Sequence, residues 1–162
     1  MNARCALMFV VACSGIPSRP TLQQLPSDGR LFDVAAAAGT SFIAADRYRG
    51  RVVVLDFWAG WCLECKRTVP QIARLADAFA GQGLLVVGVN AGERGDDVVA
   101  YARDLGIDYP IALDPELVFS DRLGAANLPV LLVIDRSGSV VHRSKRVDSE
   151  TLTVIRNLLR TQ

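Results

Sequence analysis

A chain of 162 residues, 51% hydrophobic and 22% charged, has the size and composition of one globular domain with a short appendage, which excludes a disordered, collagenous or mucin-like chain. At this length about 70% of the unfolded surface is buried on folding, so a core forms without a metal or a disulfide scaffold. Eighteen basic residues against seventeen acidic ones leave a net charge of +1, and bulk charge therefore points to no nucleic-acid or anionic-membrane partner.

Met1 to Arg4 precedes an apolar run from Cys5 to Cys13, the order of the basic and apolar regions of a secretory signal. A membrane-spanning helix needs about 20 residues, so this run does not cross a bilayer by itself. Val10-Val11-Ala12-Cys13 resembles the lipobox of bacterial lipoproteins. That resemblance implies a signal over residues 1–12 and a lipid anchor on Cys13, where two or more acyl chains would hold the chain to a membrane. The competing reading is a buried N-terminal strand, which has the same composition. Residues 13–30, with Pro17, Pro20, Pro26 and several serines, read as a tether. The domain is expected over residues 31–162.

Phe32-Asp33-Val34 and Ser41-Phe42-Ile43 suggest a hairpin across a small-residue stretch. Residues 51–57, β-branched and continuously apolar, suit a central strand covered on both faces. Val69, Ile72, Leu75, Ala76 and Phe79 recur at helical spacing and predict a helix over residues 68–80, kinked at Pro70. Gly81-Gln82-Gly83 stops it, and residues 84–89 form a second buried strand. A helix over 96–105 ends at Gly106, a short extended piece follows over 107–113, and a short helix over 115–123. Residues 130–135 and 140–143, joined by Arg136-Ser137-Gly138-Ser139, predict an antiparallel hairpin. Leu152, Ile155, Leu158 and Leu159 give a final amphipathic helix. The sum is an α/β fold, a mixed sheet with helices on both faces.

Cys62 and Cys65 lie where the first buried strand ends and a helix begins. Unpaired N–H groups and the positive end of the helix dipole favour a thiolate at the first cysteine, which makes Cys62 nucleophilic near neutral pH. Two intervening residues on a helical turn bring Cys65 within bridging reach. One thiol can then attack a disulfide and the other resolve the mixed disulfide. Zinc would need about four ligands, and the remaining candidates are Cys13 and His142. Covalent haem would need a histidine where Lys66 stands. A purely structural bridge over so short a loop restrains little of the unfolded chain. A redox pair is the reading the residues favour.

The stretch from Leu55 to Lys66, with Pro70 five residues after Cys65, resembles the active site of the thioredoxin superfamily, and Asn127-Leu128-Pro129-Val130 resembles its cis-proline loop. The residues between Gly88 and Asp114, with the early hairpin, are similar to the TlpA/ResA-like branch of membrane-tethered, envelope-facing thioredoxins. The resemblance implies a thioredoxin fold with an N-terminal hairpin and a central insertion. It implies Cys62 as attacking and Cys65 as resolving thiol, a cis Pro129, and a Leu128 backbone that receives an extended substrate segment. Trp61 would form part of the rim. Asp56 matches the buried acid that handles the resolving thiol's proton, and desolvation on a central strand would raise its pKa. The plainer reading of Asp56 is a carboxylate satisfied at a strand end.

The pattern is not met everywhere. Gly88 stands where cytoplasmic thioredoxins pair the acid with a lysine, and Leu63-Glu64 replaces Gly-Pro. Glu64 beside Cys65 is expected to oppose thiolate formation and make the disulfide more reducing. Ser144-Lys145-Arg146 stands where a glycine is common, and His142, Arg143, Lys145 and Arg146 read as a solvated edge.

The expected activity is reduction of disulfides in envelope proteins, with apocytochrome c cysteines among the substrates the resemblance suggests. An upstream dithiol protein would return the electrons, because no glycine fingerprint for a nicotinamide or flavin follows either buried strand and the cysteine pair itself is the redox group. A peroxiredoxin-like peroxidase is the alternative, opposed by Ala59 where Thr-x-x-Cys would place threonine. A non-catalytic chaperone or copper-handling module is a third reading, and copper delivery is opposed by methionines only at Met1 and Met8.

Overall fold

The computed structural model describes residues 30–36, 39–44, 48 and 50–161. The expected signal, Cys13 and the tether up to residue 29 lie outside the described residues.

Among the described residues, seven strands form one sheet in the order β2-β1-β5-β4-β3-β6-β7. The early hairpin is β1 (Arg30–Ala36) and β2 (Gly39–Ala44), antiparallel with Ala36 opposite Gly39. Arg30, expected as the end of the tether, opens β1. The apolar runs give β3 (Val52–Trp58) and β4 (Leu84–Ala91), parallel neighbours joined by α1 (Cys65–Ala78). Next come α2 (Gly95–Asp104), β5 (Ile111–Asp114), α3 (Val118–Arg122), β6 (Val130–Ile134), β7 (Val140–Ser144) and α4 (Ser149–Arg160). β5 runs parallel to β4, while β6 and β7 are antiparallel to their neighbours. β1 lies antiparallel to β5, so the hairpin extends the sheet instead of standing apart.

Several boundaries differ from the periodicity, each for a local reason. α1 begins three residues before the predicted start, at Cys65, and runs on through Pro70. α2 ends as expected at a left-handed glycine: Gly106 has φ +67°, and the Ile107 N–H reaches back to the Ala102 carbonyl at 2.8 Å. The helix predicted over 115–123 shortens to α3, because the buried Asp114 carboxylate takes the N–H groups of Phe119 (3.2 Å) and Ser120 (2.7 Å) and the Ser120 hydroxyl (2.7 Å). Residues 115–117 are thereby held as a turn. Asp148 caps α4 by accepting the Thr151 N–H at 2.9 Å.

Strand alternation divides the core into two layers. Val53, Leu55 and Phe57 of β3 point into one, with Val87, Val89, Leu132, Phe119 and Tyr48. Val52, Val54 and Trp58 point into the other, beneath α1, α2 and α4, with Val69, Ile72, Val98, Ile155, Tyr109 and both cysteines. Asp56 lies between Val54 and Trp58 in the alternation, so its carboxyl belongs to the cysteine layer.

Candidate redox site

β3 delivers the chain to the site and ends on Trp58, which is fully buried. The Cys62 N–H bonds the Ala59 carbonyl at 3.1 Å, closing a turn over 59–62. α1 starts at Cys65, and the two sulfurs are bonded at 2.08 Å with Cα atoms 5.2 Å apart. The Cys65 N–H, in the first turn of α1, donates to Cys62 Sγ at 3.1 Å. An otherwise unpaired helical N–H therefore points at the sulfur expected to carry negative charge when the bridge opens. Cys62 is 6% exposed and Cys65 is fully buried, so Cys62 is the cysteine nearer to an incoming group. The Thr68 hydroxyl bonds the Cys65 carbonyl at 3.2 Å.

Trp61 (66% exposed) and Leu63 (76% exposed) flank Cys62 as an apolar rim. Such side chains in water suit contact with another protein surface. Glu64 is also exposed and pairs with Arg67 at 3.3 Å. Its carboxylate is engaged on the solvent side of the helix start, where charge effects are weak.

The Leu128–Pro129 peptide is cis, Pro129 is buried, and Leu128 is half-buried against both core layers, including the one that holds the cysteines.

Asp56 is 1% exposed, and the Tyr109 hydroxyl donates to its Oδ2 at 2.9 Å. Burial pushes the Asp56 carboxyl up to about 7, against the opposing pull of that hydrogen bond. Burial, and then the Asp56 charge, push the Tyr109 hydroxyl far above its ordinary range, so it remains a donor. The residue facing Asp56 across β4 is Gly88, and a Cβ there would sit 2.9 Å from Trp58 Nε1 and 3.1 Å from Tyr109 Cε2. The space beside Gly88 is filled by two aromatic rings.

A second network holds the turn. Glu93 Oε2 accepts the Gly60 N–H and Asn90 Nδ2, each at 2.7 Å. Gly60 is required there, since a Cβ would fall 2.1 Å from the Tyr101 ring. Sequence reasoning missed Tyr109, Asn90 and Glu93. The available signals were an asparagine at the end of an otherwise apolar strand and a tyrosine-proline pair just ahead of β5.

The solvated-edge reading needs one correction. Arg143 is exposed, yet its guanidinium donates to the Gly124 carbonyl at 3.1 Å and to the Leu123 carbonyl, tying β7 to the end of α3. His142 is half-buried, with Nε2 3.0 Å from the Thr151 hydroxyl. Among the described residues no group of three or more His, Cys, Asp and Glu side chains is placed to hold a metal, and no helix is long and apolar enough to cross a membrane.

A mixed sheet, a disulfide at a strand-to-helix turn and a nearby cis-proline define a thioredoxin-fold protein. The same fold is seen in the crystal structure of a thiol:disulfide interchange protein of the thioredoxin family from Chlorobium tepidum TLS, with a TM-score of 0.67 over 89% of this chain and 99% of that one, at 24% identity. Residues 27–143 match the model of the AhpC/TSA family, and the chain belongs to that family. It is 33% identical over 106 residues to the thiol-disulfide oxidoreductase ResA of Geobacillus thermodenitrificans, covering 65% of this chain and 59% of that protein's length. It is 28% identical over 137 residues to ResA of Bacillus subtilis, covering 85% of this chain and 75% of the relative.

Proposed function

We propose that the protein is a thiol-disulfide oxidoreductase that reduces disulfides of envelope proteins. The observation that carries this reading is the Cys62–Cys65 bridge, with Cys62 at 6% exposure against a fully buried Cys65, its sulfur hydrogen-bonded by a helix N–H and flanked by the exposed Trp61 and Leu63. The names of the ResA relatives support it.

In the reduced protein the Cys62 thiolate attacks one sulfur of a substrate disulfide. A mixed disulfide forms and the other substrate sulfur leaves as a thiolate. Cys65 then gives its proton to the Asp56 carboxylate and attacks Cys62 Sγ. The second substrate thiolate departs, and the Cys62–Cys65 disulfide remains. An acid titrating near 7 is suited to this proton step at neutral pH. Two electrons leave per turnover, so a second dithiol protein must return them by the reverse exchange. Leu128, ahead of Pro129, offers its backbone to an extended substrate segment. Cys13 carries the lipid that holds the domain at the membrane, and residues 14–29 act as its tether.

Ala59 is fully buried and has no hydroxyl, which disfavours the peroxidase alternative. The deciding measurement is the reduction potential of the pair, followed by tryptophan fluorescence in graded dithiol buffers. A value near about −250 mV or lower is expected of a reductant. A value near about −120 mV would make the protein a disulfide donor instead.

A further inference from the structure

Among the described residues, Asp56 has one hydrogen-bonding side chain around it, and it comes from a residue 53 positions away. Its register neighbours, Gly88 on β4 and Leu131 on β6, offer no polar side chain. Tyr109 is placed with some precision. The Gly88 N–H bonds the carbonyl of the next residue, Pro110, at 2.8 Å, and the missing Cβ of Gly88 admits the Tyr109 ring. One glycine thus anchors the loop that carries the hydroxyl and clears the path to the acid.

We propose that Tyr109 is the positioning residue of the proton step: its hydroxyl holds Oδ2 of Asp56 and leaves Oδ1 as the oxygen that takes the proton from Cys65. The proposal rests on the role given to Asp56 above. The S–H proton moves to Oδ1, the Cys65 sulfur attacks Cys62 Sγ, and the substrate thiolate leaves. A neutral donor serves both states of the acid, since it can bond Oδ2 whether Oδ1 is bare or protonated. A lysine ammonium in the same place would add a charge that favours the carboxylate and lowers its titration. Tyrosine keeps the carboxyl oriented while burial still holds its titration near 7.

Other titratable groups among the described residues border this side of the sheet. Asp108 adjoins Tyr109, the cysteine pair enters from the start of α1, and Tyr101 and Glu93 border the Gly60 turn. His142 faces the layer from β7, opposite Val133, and bonds Thr151 of α4.

The test compares the full-length wild type with Tyr109→Phe and Asp56→Asn. Infrared titration of the oxidised proteins follows the buried carboxyl without interference from the cysteines, and the pH profile of mixed-disulfide resolution follows the chemistry. Tyr109→Phe keeps the ring and removes the donor. Its carboxyl titration and rate inflection should both move up by about one pH unit, with resolution at pH 7 slowed about fivefold. If both curves overlay the wild type while Asp56→Asn abolishes the inflection, Asp56 keeps its role and the Tyr109 proposal is wrong. If Asp56→Asn retains the wild-type inflection, the reading of Asp56 fails and this proposal with it. Should Tyr109→Phe not fold, uniform replacement of tyrosine by 3-fluorotyrosine gives a stronger donor. The carboxyl titration should then move down, and an unmoved titration overturns the proposal.

Discussion

The Glu93 carboxylate accepts the backbone N–H of Gly60 at 2.7 Å, joining the loop after β4 to the turn that presents Cys62. The same oxygen takes Asn90 Nδ2 at 2.7 Å. One partly buried carboxylate therefore satisfies two donors at the site's edge. Glu93→Ala strands both, and a lost bond to a charged acceptor is worth roughly 1.5–3 kcal/mol. Urea unfolding of the oxidised protein should show a loss on that order, with a smaller one for Glu93→Gln, which keeps an acceptor oxygen. An unchanged midpoint for Glu93→Ala would show that the bonds carry no net stability.

The unequal exposure of the two sulfurs predicts which one forms the mixed disulfide. Cys65→Ser should accumulate a covalent adduct with a model disulfide protein through Cys62, seen by non-reducing electrophoresis and mass spectrometry. Cys62→Ser should accumulate little, because the Cys65 sulfur is fully buried. Equal trapping by both variants would contradict the assigned order of attack.

Asp56 makes stability depend on pH in a definite direction. Its carboxyl rises from 3.8 to about 7 on folding, so between those values the folded protein binds the proton that the unfolded chain has lost. Its contribution is therefore neutral below about pH 4, falls as pH rises through the window, and is at its most destabilising above about pH 7. At about 1.4 kcal/mol per pKa unit the full effect is on the order of a few kcal/mol. Asp56→Asn should leave the thermal midpoint nearly unchanged at pH 4 and raise it at pH 8. A gain at pH 4 that disappears at pH 8 would reverse the sign and refute the assignment.

Gly88→Ala tests the close packing beside the acid. The new methyl would lie 2.9 Å from Trp58 Nε1 and 3.1 Å from Tyr109 Cε2, so a buried ring must move. Overpacking of this kind costs about 1–3 kcal/mol. A chemical denaturation series should show that loss, together with a displaced Asp56 titration as Tyr109 is pushed from its hydrogen bond. Wild-type stability and titration together would show that the rings yield freely.

Much of this was legible in the residues because it depends on neighbours in sequence. β3 and β4 were visible as continuous apolar runs, since strands covered on both faces have no polar side. α1 and α4 were visible as apolar stripes. The cysteine pair needed only its spacing and its place between a strand and a helix. Local competition moved the boundaries: Asp114 captures two backbone N–H groups in the first turn of α3, an interaction that hydrophobic periodicity does not register.

What the chain determined by itself is the order of its elements and the cysteine motif, because apolar patterning and short spacings act within a few residues. Tertiary structure alone decided that the early hairpin joins the sheet against β5, that Glu93 clamps Gly60 and that Tyr109 partners Asp56. Glu93 and Tyr109 reach residues 33 and 53 positions away. No local period connects positions so far apart; they meet because parallel strands β3, β4 and β5 lie side by side, and because Gly88 leaves the space in which a tyrosine can reach the acid.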